Sequence, residues 1–305
     1  MTAVVSPMHL TVIIPTRDRL PVLRATLAGL AEQELGPLEA EVIVVDNGST
    51  DGTTPALTAL APDYPLPLIA LHEPTPGAGP ARNTGLQHAR GDAVLFLGDD
   101  TRPAAPDLLR RHAELHDDTR AILGQVAWAP HLTVTPLMRW LEHGAQFAYA
   151  DMRAGPAGPE HFYTAHVSAS RAVLLEAGGF DPRIPFDFED GELGQRLTAR
   201  GIAIDYHPEL LVHHDHPITL ESWIRRQERV GAAGRRVLEL HDLPERIVPR
   251  PGGWRWTAAT AIAKAAGTPD TEWQRLPARV RDRLYAAASF AAYARGYRQP
   301  RVSSS

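Results

Sequence analysis

Three acidic groups sit where ligand chemistry is commonly staged. Asp46 follows the apolar run from Glu41 to Val45. Asp99-Asp100 follow Ala93 to Leu97 and one glycine, and Glu189-Asp190 precede a helix-like segment. In open parallel sheets, ligands bind beyond the carboxyl ends of the strands. A carboxylate placed there accepts hydrogen bonds from a base or ribose, or binds a hard cation. Adjacent acids such as Asp99-Asp100 suit Mg2+ or Mn2+, which take oxygen ligands and bridge to substrate phosphates. Such an ion neutralises a diphosphate leaving group, and a neighbouring carboxylate free of it can act as general base. An isolated Asp at a strand end is as readily a turn residue or helix cap. Two acidic clusters after buried strands favour the chemical reading.

Two further groups of residues could join this chemistry. His213-His214-Asp215-His216 is the densest imidazole cluster in the chain. Neighbours on a strand point to opposite faces, so only alternate members, such as His214 and His216, can share a side. One of them completing a metal shell and a purely structural role both remain open. Gly77 to Asn83 (GAGPARN) is glycine-rich and precedes a helix pattern. It fails as a dinucleotide fingerprint, because Arg82 replaces the third glycine and Pro80 sits in the loop. As a loop that brings Arg82 near phosphates it remains plausible, since a guanidinium matches phosphate geometry.

The elements that must carry these residues alternate in type. Leu10–Pro15, Glu41–Asp46, Leu68–His72 and Ala93–Leu97 read as short buried strands. Helices are expected from Leu20 to Leu30 with Asp18 as N-cap, over Thr53–Leu60, over Pro80–Arg90 and over Pro106–His116. This alternation predicts βαβ units and a parallel sheet covered on both faces. Beyond it, Ala121–Trp128 and Ile202–Tyr206 read as strands, and His166–Ser170 leads into a helix. Leu137–Tyr149, Arg171–Ala177, Asp190–Arg200 and Leu220–Leu240 read as helices, with Gly201 ending the third. Ala154–Pro159 reads as a loop or lid. Residues 241–253 read as a Pro/Gly linker, followed by an Ala-rich helix near Arg279–Arg295 and a Ser-rich tail.

Taken in order, these motifs resemble the family 2 inverting glycosyltransferases. The resemblance rests on VIIPTRDR (Val12–Arg19), VIVVDNGSTDGT (Val42–Thr53), ARNTGLQHARGDAVLFLGDD (Ala81–Asp100), GGFD (Gly178–Asp181), EDGELGQRL (Glu189–Leu197), and HHDHP followed by RRQERVGAAG (Arg225–Gly234). It covers about three-quarters of the chain. It implies a GT-A fold, an α/β architecture with a Rossmann-like, mainly parallel central sheet and here a C-terminal helical extension. A glycosyltransferase domain over 1–240 is expected, with a nucleotide-sugar half over 1–100 and an acceptor half over 101–240. The extension would span 241–305.

By resemblance, Pro15, Thr16 and Arg17 line the nucleotide pocket, with Asp46 on the base or ribose, Ser49 nearby and Arg82 at the phosphates. Asp99 and Asp100 match the family's DxD-type motif, whose first acid is absent here because the motif reads Gly98-Asp99-Asp100. Asp100 is then the metal ligand, Asp99 serves ribose or metal, and His214 joins the metal or diphosphate. Asp190 matches the catalytic base, and Glu189 orients the acceptor or the base. Mn2+ or Mg2+ is the implied cofactor. The implied donor is a nucleoside-diphosphate sugar, of UDP or dTDP type by family base rate. The acceptor is an unspecified hydroxyl, lipid-linked in some relatives.

Composition bounds the alternatives. The 305 residues contain no cysteine, which excludes a disulfide framework, a thiol nucleophile and a Cys-ligated zinc site. No apolar run approaches the ~20 residues that span a bilayer, and Met1–Leu10 lacks a signal-peptide pattern. A cytoplasmic location is the resulting expectation. The net charge of −5 is uneven. Residues 1–224 carry 15 basic and 29 acidic groups, net −14, and residues 225–305 carry 16 and 7, net +9. The basic part could pack against acidic surface, or meet the inner face of a membrane through its arginines with Trp254 and Trp256. No nucleic-acid motif appears. A sugar nucleotidyltransferase would show a glycine-rich basic loop after the first strand, where Thr16-Arg17-Asp18-Arg19 stands instead. A non-catalytic nucleotide-sugar binder of the same fold is the other alternative.

Overall fold

The computed structural model describes residues 9–144, 148–184, 186–266 and 270–299. The leader question at residues 1–8, the Ser-rich tail and part of the expected 137–149 helix lie outside them. In chain order the elements are β1 (His9–Thr16), α1 (Leu20–Ala31), β2 (Glu39–Asp46), α2 (Thr53–Leu60), β3 (Leu68–His72), α3 (Ala78–His88), β4 (Ala93–Leu97) and β5 (Thr101–Pro103). There follow α4 (Leu108–Glu114), β6 (Arg120–Trp128), α5 (Pro136–Leu141), β7 (Gly155–Ala157), β8 (His166–Ser170), α6 (Arg171–Glu176), α7 (Glu189–Ala199) and β9 (Ala203–His214). The chain continues with α8 (Leu220–Leu240), α9 (Gly253–Ala266), α10 (Asp270–Trp273) and α11 (Ala278–Arg298). They form two compact units. The first takes residues 9–132, 152–184 and 189–216, and the second takes 133–144, 148–151, 186–188, 217–266 and 270–299.

The first unit is built on one sheet of order β3-β2-β1-β4-β8-β6-β9-β5, with β7 beside β9. Strands β3, β2, β1 and β4 are mutually parallel. The apolar runs of β1, β2 and β4 are buried on both faces, as with Val12, Ile13, Val44, Leu95 and Phe96, whereas the edge strand β3 buries only Leu68. Beyond β4 the sheet becomes mixed. β8 is antiparallel to both β4 and β6, β9 is parallel to β6, and β5 is antiparallel to β9. The sheet expected to be mainly parallel is so over its first four strands and again between β6 and β9, with β8 and β5 running antiparallel to their neighbours.

Three local expectations are corrected. Asp18 does not cap α1. It takes a left-handed φ of 51°, and its Oδ1 accepts from the Thr50 N–H at 2.6 Å. The first-turn Leu20 N–H is met instead by Asp51 Oδ2 at 2.9 Å, across from the next loop. The stretch at 154–159 is not wholly loop, because β7 pairs with β9 as a short edge strand, where Pro156 is tolerated. β9 runs well past Tyr206. Its register against β6 jumps from Gly124↔His207 to Gln125↔Leu211, so the segment holding Pro208 bulges out of the ladder.

Under the mixed half lies a buried polar chain. His112 Nδ1 meets Ser168 Oγ at 2.8 Å, His112 Nε2 meets His166 Nε2 at 2.9 Å, and His166 Nδ1 meets the Gln125 carbonyl at 3.2 Å. Gly124 is required beside it, since a Cβ there would stand 2.1 Å from His166 Cε1. Burial pushes both rings down, His166 to about 4 and His112 well below its ordinary value, where the His166 ring also opposes its charge.

The second unit is helical. α8 and α11 cross closely: a Cβ on Gly231 would stand 2.0 Å from the Tyr293 carbonyl oxygen, and one on Gly296 would stand 1.8 Å from that of Glu228. Trp223 Nε1 donates to Ser289 Oγ at 2.8 Å, and Tyr285 is fully buried between Trp140 and Trp273. The α9 helix begins at Gly253, where the expected linker ends, in a stretch for which no element was expected. Its Trp256 packs on Phe290 and Tyr293, so only Trp254 keeps the exposure proposed for both.

The histidine chain predicts an acid-sensitive fold. The unfolded chain binds protons between about pH 6.5 and 4 that the folded rings refuse, so stability is full above 6.5 and falls as pH drops through that window. His166 alone accounts for roughly 3 kcal/mol across it. Urea midpoints measured from pH 7 to 4 should fall, and His166→Gln should flatten the decline. An unchanged slope in that variant would contradict the assignment.

Candidate functional site

The carboxyl ends of β1, β2 and β4 lie together because the strands run parallel and in register, Thr16 beside Asp46 and Ile13 beside Phe96. The loops that leave them are tied to one another. Asp46 Oδ1 accepts from the Ser49 N–H at 2.8 Å, and its Oδ2 accepts from the Thr54 hydroxyl. Burial pushes this carboxyl up, but the Thr54 and Ser49 hydrogen bonds outweigh it and leave it below the ordinary range. Ser49 Oγ in turn accepts from the Asp18 N–H at 2.9 Å. Asn47 was not singled out by its sequence. Its amide nitrogen donates to the Glu73 and Thr75 carbonyls at 2.8 and 2.7 Å, and its oxygen accepts from the Gly77 N–H at 2.8 Å. That one side chain fixes the Gly-rich loop against the β2 turn.

Asp99 and Asp100 follow β4 side by side, Asp99 buried and Asp100 half-buried. Asp99 Oδ2 accepts from the Thr16 hydroxyl at 2.8 Å, and the Asp99 carbonyl accepts from the Thr26 hydroxyl at 2.8 Å. One guanidinium spans the pair: Arg19 Nη2 donates to Asp100 Oδ2, and Nη1 lies 3.5 Å from Asp99 Oδ1. Arg17 lies elsewhere, half-exposed, with Asp18 3.8 Å away. Burial and the adjacent Asp100 push Asp99 up to about 6, against the pull of Arg19. Burial also raises Asp100, but His214 and Arg19 overcome it and hold Asp100 far below the carboxylate range.

The histidine cluster resolves by register. His214 is the β9 partner of both Thr101 and Trp128, which sets its ring against Asp100, with Nε2 3.3 Å from Oδ2. Its Nδ1 is buried with no hydrogen-bond partner among the described residues. His216 shares that side, 6.2 Å away ring to ring, whereas His213 is paired with Arg102. Asp215 turns to His131 Nε2 at 2.8 Å, and its N–H holds the Asp100 carbonyl at 2.8 Å.

Glu189 and Asp190 open α7. Glu189 is buried, and its Oε1 accepts from Arg82 Nη1 at 2.9 Å. Arg82, expected at phosphates, thus spends its charge on this carboxylate and lies 5.5 Å over the Phe180 ring. Asp190 is half-buried, and its Oδ1 accepts from the Gly191 N–H at 2.9 Å. The preceding Asp187 and Phe188 take left-handed φ values of 54° and 74°, a costly backbone for non-glycine residues. The GGFD turn is held from two sides. Asn83 exchanges hydrogen bonds with Phe180, and Arg196 Nη2 donates to the Gly179 carbonyl at 2.7 Å while paired with Glu192.

A model of glycosyl transferase family 2 matches residues 11–178, which include the ends of β1, β2 and β4 but neither α7 nor β9. The chain belongs to this family. An uncharacterised glycosyltransferase of Bacillus subtilis, YfnE, is 28% identical over 265 residues, covering 70% of this chain and 67% of that protein. The pre-mycofactocin glycosyltransferase of Mycobacterium tuberculosis is 29% identical over 256 residues, covering 80% of this chain but only 50% of its own length. This family member therefore spans about two-thirds of the one relative and half of the other. A mannosyltransferase from Pyrobaculum calidifontis, solved with GDP-Man and Mn2+, superposes with a TM-score of 0.65 at 22% identity, covering 95% of this chain and 87% of that one. That likeness establishes the GT-A fold.

The Arg82–Glu189 pair can be tested directly. Arg82→Met takes the guanidinium from a buried carboxylate and should cost about 3 kcal/mol. The Arg82→Met/Glu189→Met double variant should lose less than the sum of its singles. Additive denaturation energies would show that the pair is not coupled.

Proposed function

We propose that this glycosyltransferase moves a sugar from a nucleoside diphosphate donor to an acceptor hydroxyl in a single inverting displacement. The observation that carries the reading is the Asp99–Asp100 pair, with Asp99 buried and Asp100 faced by His214, at the ends of the strands that the family model covers. Asp46 and Ser49, with Pro15 and Thr16 alongside, would receive the nucleoside, and Arg17 would stand at the solvent side. Asp190 would accept the acceptor's hydroxyl proton as that oxygen bonds to the anomeric carbon. The bond from that carbon to the diphosphate oxygen breaks, and the nucleoside diphosphate leaves. Glu189, held by Arg82, would orient Asp190 or the acceptor.

A divalent cation fits this donor set. Among the described residues no group of three or more acids and histidines is arranged to hold a metal by itself. Asp100 Oδ2 and His214 Nε2 are 3.3 Å apart, close to the ~3 Å between neighbouring ligands of an octahedral ion. Two protein donors leave room for phosphate oxygens, the usual habit of Mg2+ and Mn2+. When bound, the ion would stabilise charge on the departing diphosphate. The Pyrobaculum mannosyltransferase, solved with GDP-Man and Mn2+, supports a nucleotide-sugar donor and a divalent ion here.

Thermal shifts with UDP, dTDP and GDP, each with Mn2+ or Mg2+, should single out one base, because a ligand of the fold raises its stability. A pyrimidine diphosphate is expected to win. Release of nucleoside diphosphate from a nucleotide sugar supports transfer or slow donor hydrolysis. Pyrophosphate release from a nucleoside triphosphate and sugar phosphate would instead mark a nucleotidyltransferase. Asp190→Asn should leave donor binding intact and cut turnover by ~10²-fold or more. Near-normal turnover would remove Asp190 as base.

Among the described residues no helix is long and apolar enough to cross a membrane. A peripheral contact with an anionic bilayer, where a lipid-linked acceptor would lie, is supported by α9. Trp254 and Ile262 are exposed on that helix, Arg255 and Lys264 flank them, and residues 246–266 contain no acid. Vesicles of phosphatidylglycerol should sediment the protein at low salt and lose it at high salt, and Trp254→Ala/Lys264→Glu should abolish the effect. Equal recovery with phosphatidylcholine would count against the contact.

A further inference from the structure

We propose that Arg19 is the built-in counter-cation of the Asp99–Asp100 pair, yielding Asp100 to a divalent ion only when a diphosphate arrives with it. The inference rests on the donor reading above and concerns a residue that reading does not use. The oxygen that carries the argument is Asp100 Oδ2. It faces His214 Nε2 at 3.3 Å, and the same oxygen accepts from Arg19 Nη2. The guanidinium also reaches to 3.5 Å from Asp99 Oδ1, so a single cation neutralises both acids where a metal would compete for them.

The backbone beneath Arg19 is clamped while its side chain keeps an outlet. Asp18 is fixed in a left-handed turn by Ser49 and Thr50, and Leu20 is fixed by Asp51. The Arg19 side chain itself remains 35% exposed, against 9% and 12% for the two carboxylates. It can leave the acids without unfolding either loop. A divalent ion entering alone would meet a resident positive charge and would have to displace it into water. A diphosphate changes the balance, because it offers the guanidinium a bidentate anionic partner beside the ion. Metal and nucleotide would then strengthen each other's binding by the same factor, as linkage requires.

Calorimetric titration of the full chain with Mn2+ alone, with UDP or GDP alone, and with both, reads this without any turnover. In the native protein Mn2+ alone should bind weakly, and the nucleoside diphosphate should tighten it. Arg19→Gln should bind Mn2+ alone ~10-fold or more tightly, bind the diphosphate with Mn2+ more weakly, and lose most of the mutual gain. Arg19→Lys keeps one charge but cannot span both acids, and should lie between the two. Native-like Mn2+ affinity in both variants would overturn the proposal while leaving the donor reading in place, as would weaker Mn2+ binding in Arg19→Gln. If the native protein takes up neither Mn2+ nor nucleotide, the donor reading falls and this inference falls with it. Asp100→Asn serves as the control that must abolish Mn2+ binding.

Discussion

Two adjacent carboxylates just past the end of β4, one buried and one half-buried, set the terms for the rest of the site. Like charges out of water oppose one another, and the arrangement holds only where cations and donors converge on it. Three separate segments supply them. Thr16 comes from the end of β1, Arg19 from the loop that follows, and His214 from the end of β9. Thr16 and His214 are delivered by strand register, and Arg19 by the left-handed turn at Asp18. The acids therefore act as a tie between the parallel strands and the mixed half of the sheet.

The change of strand direction at β4 serves that tie. β4 is the last of the parallel strands, and β8 runs antiparallel beside it. β6 and β9 then run parallel to each other beyond β8, so β9 delivers His214 level with the β5 residue Thr101, just past the acids. A bulge in β9 around Pro208 absorbs the mismatch on the way. The buried His112–His166 chain lies in the same half and depends on Gly124 for space. A polar chain in that position specifies the packing of β6 against β8 more sharply than apolar contacts alone would.

The elements written most clearly in the sequence are those whose own pattern decides them. Thr53–Leu60, Leu68–His72, Ala93–Leu97 and Leu220–Leu240 begin and end where periodicity places them. The elements that escaped are those decided by a partner. β5 and β7 are three-residue strands that exist only as pairings to β9, and α9 starts at Gly253 within a Pro/Gly-rich run. In the site, residue type and order marked Asp46, Asp99, Asp100, Glu189 and Asp190 as candidates. The partner of the acid pair was harder to find. Arg17 and Arg19 lie in one motif, and only the left-handed turn at Asp18 makes Arg19 the one that turns inward. Asn47 left no signal beyond its place in a turn, because its three bonds all go to backbone of another loop.

The uneven charge of the chain is likewise a matter of partners. Most of the basic groups on α8 and α11 have acids within their own unit. Arg225 meets Glu221, Arg235 meets Glu239, Arg295 meets Glu228, and Arg226 and Arg229 approach Asp187. Exposed pairs of this kind add little stability each, and of these acids only Glu221 and Asp187 lie outside residues 225–305, so the pairing offsets only a small part of the +9. The stretch from 246 to 266 differs, because it contains four bases and no acid of its own. The same stretch exposes Trp254 and Ile262, apolar groups that a helix buried against protein would cover. Charge left over in sequence and apolar surface left over in packing fall on one helix. The excess charge is spread along the basic segment, but α9 is where bases without a neighbouring acid in sequence, Arg255 and Lys264, stand beside exposed apolar groups.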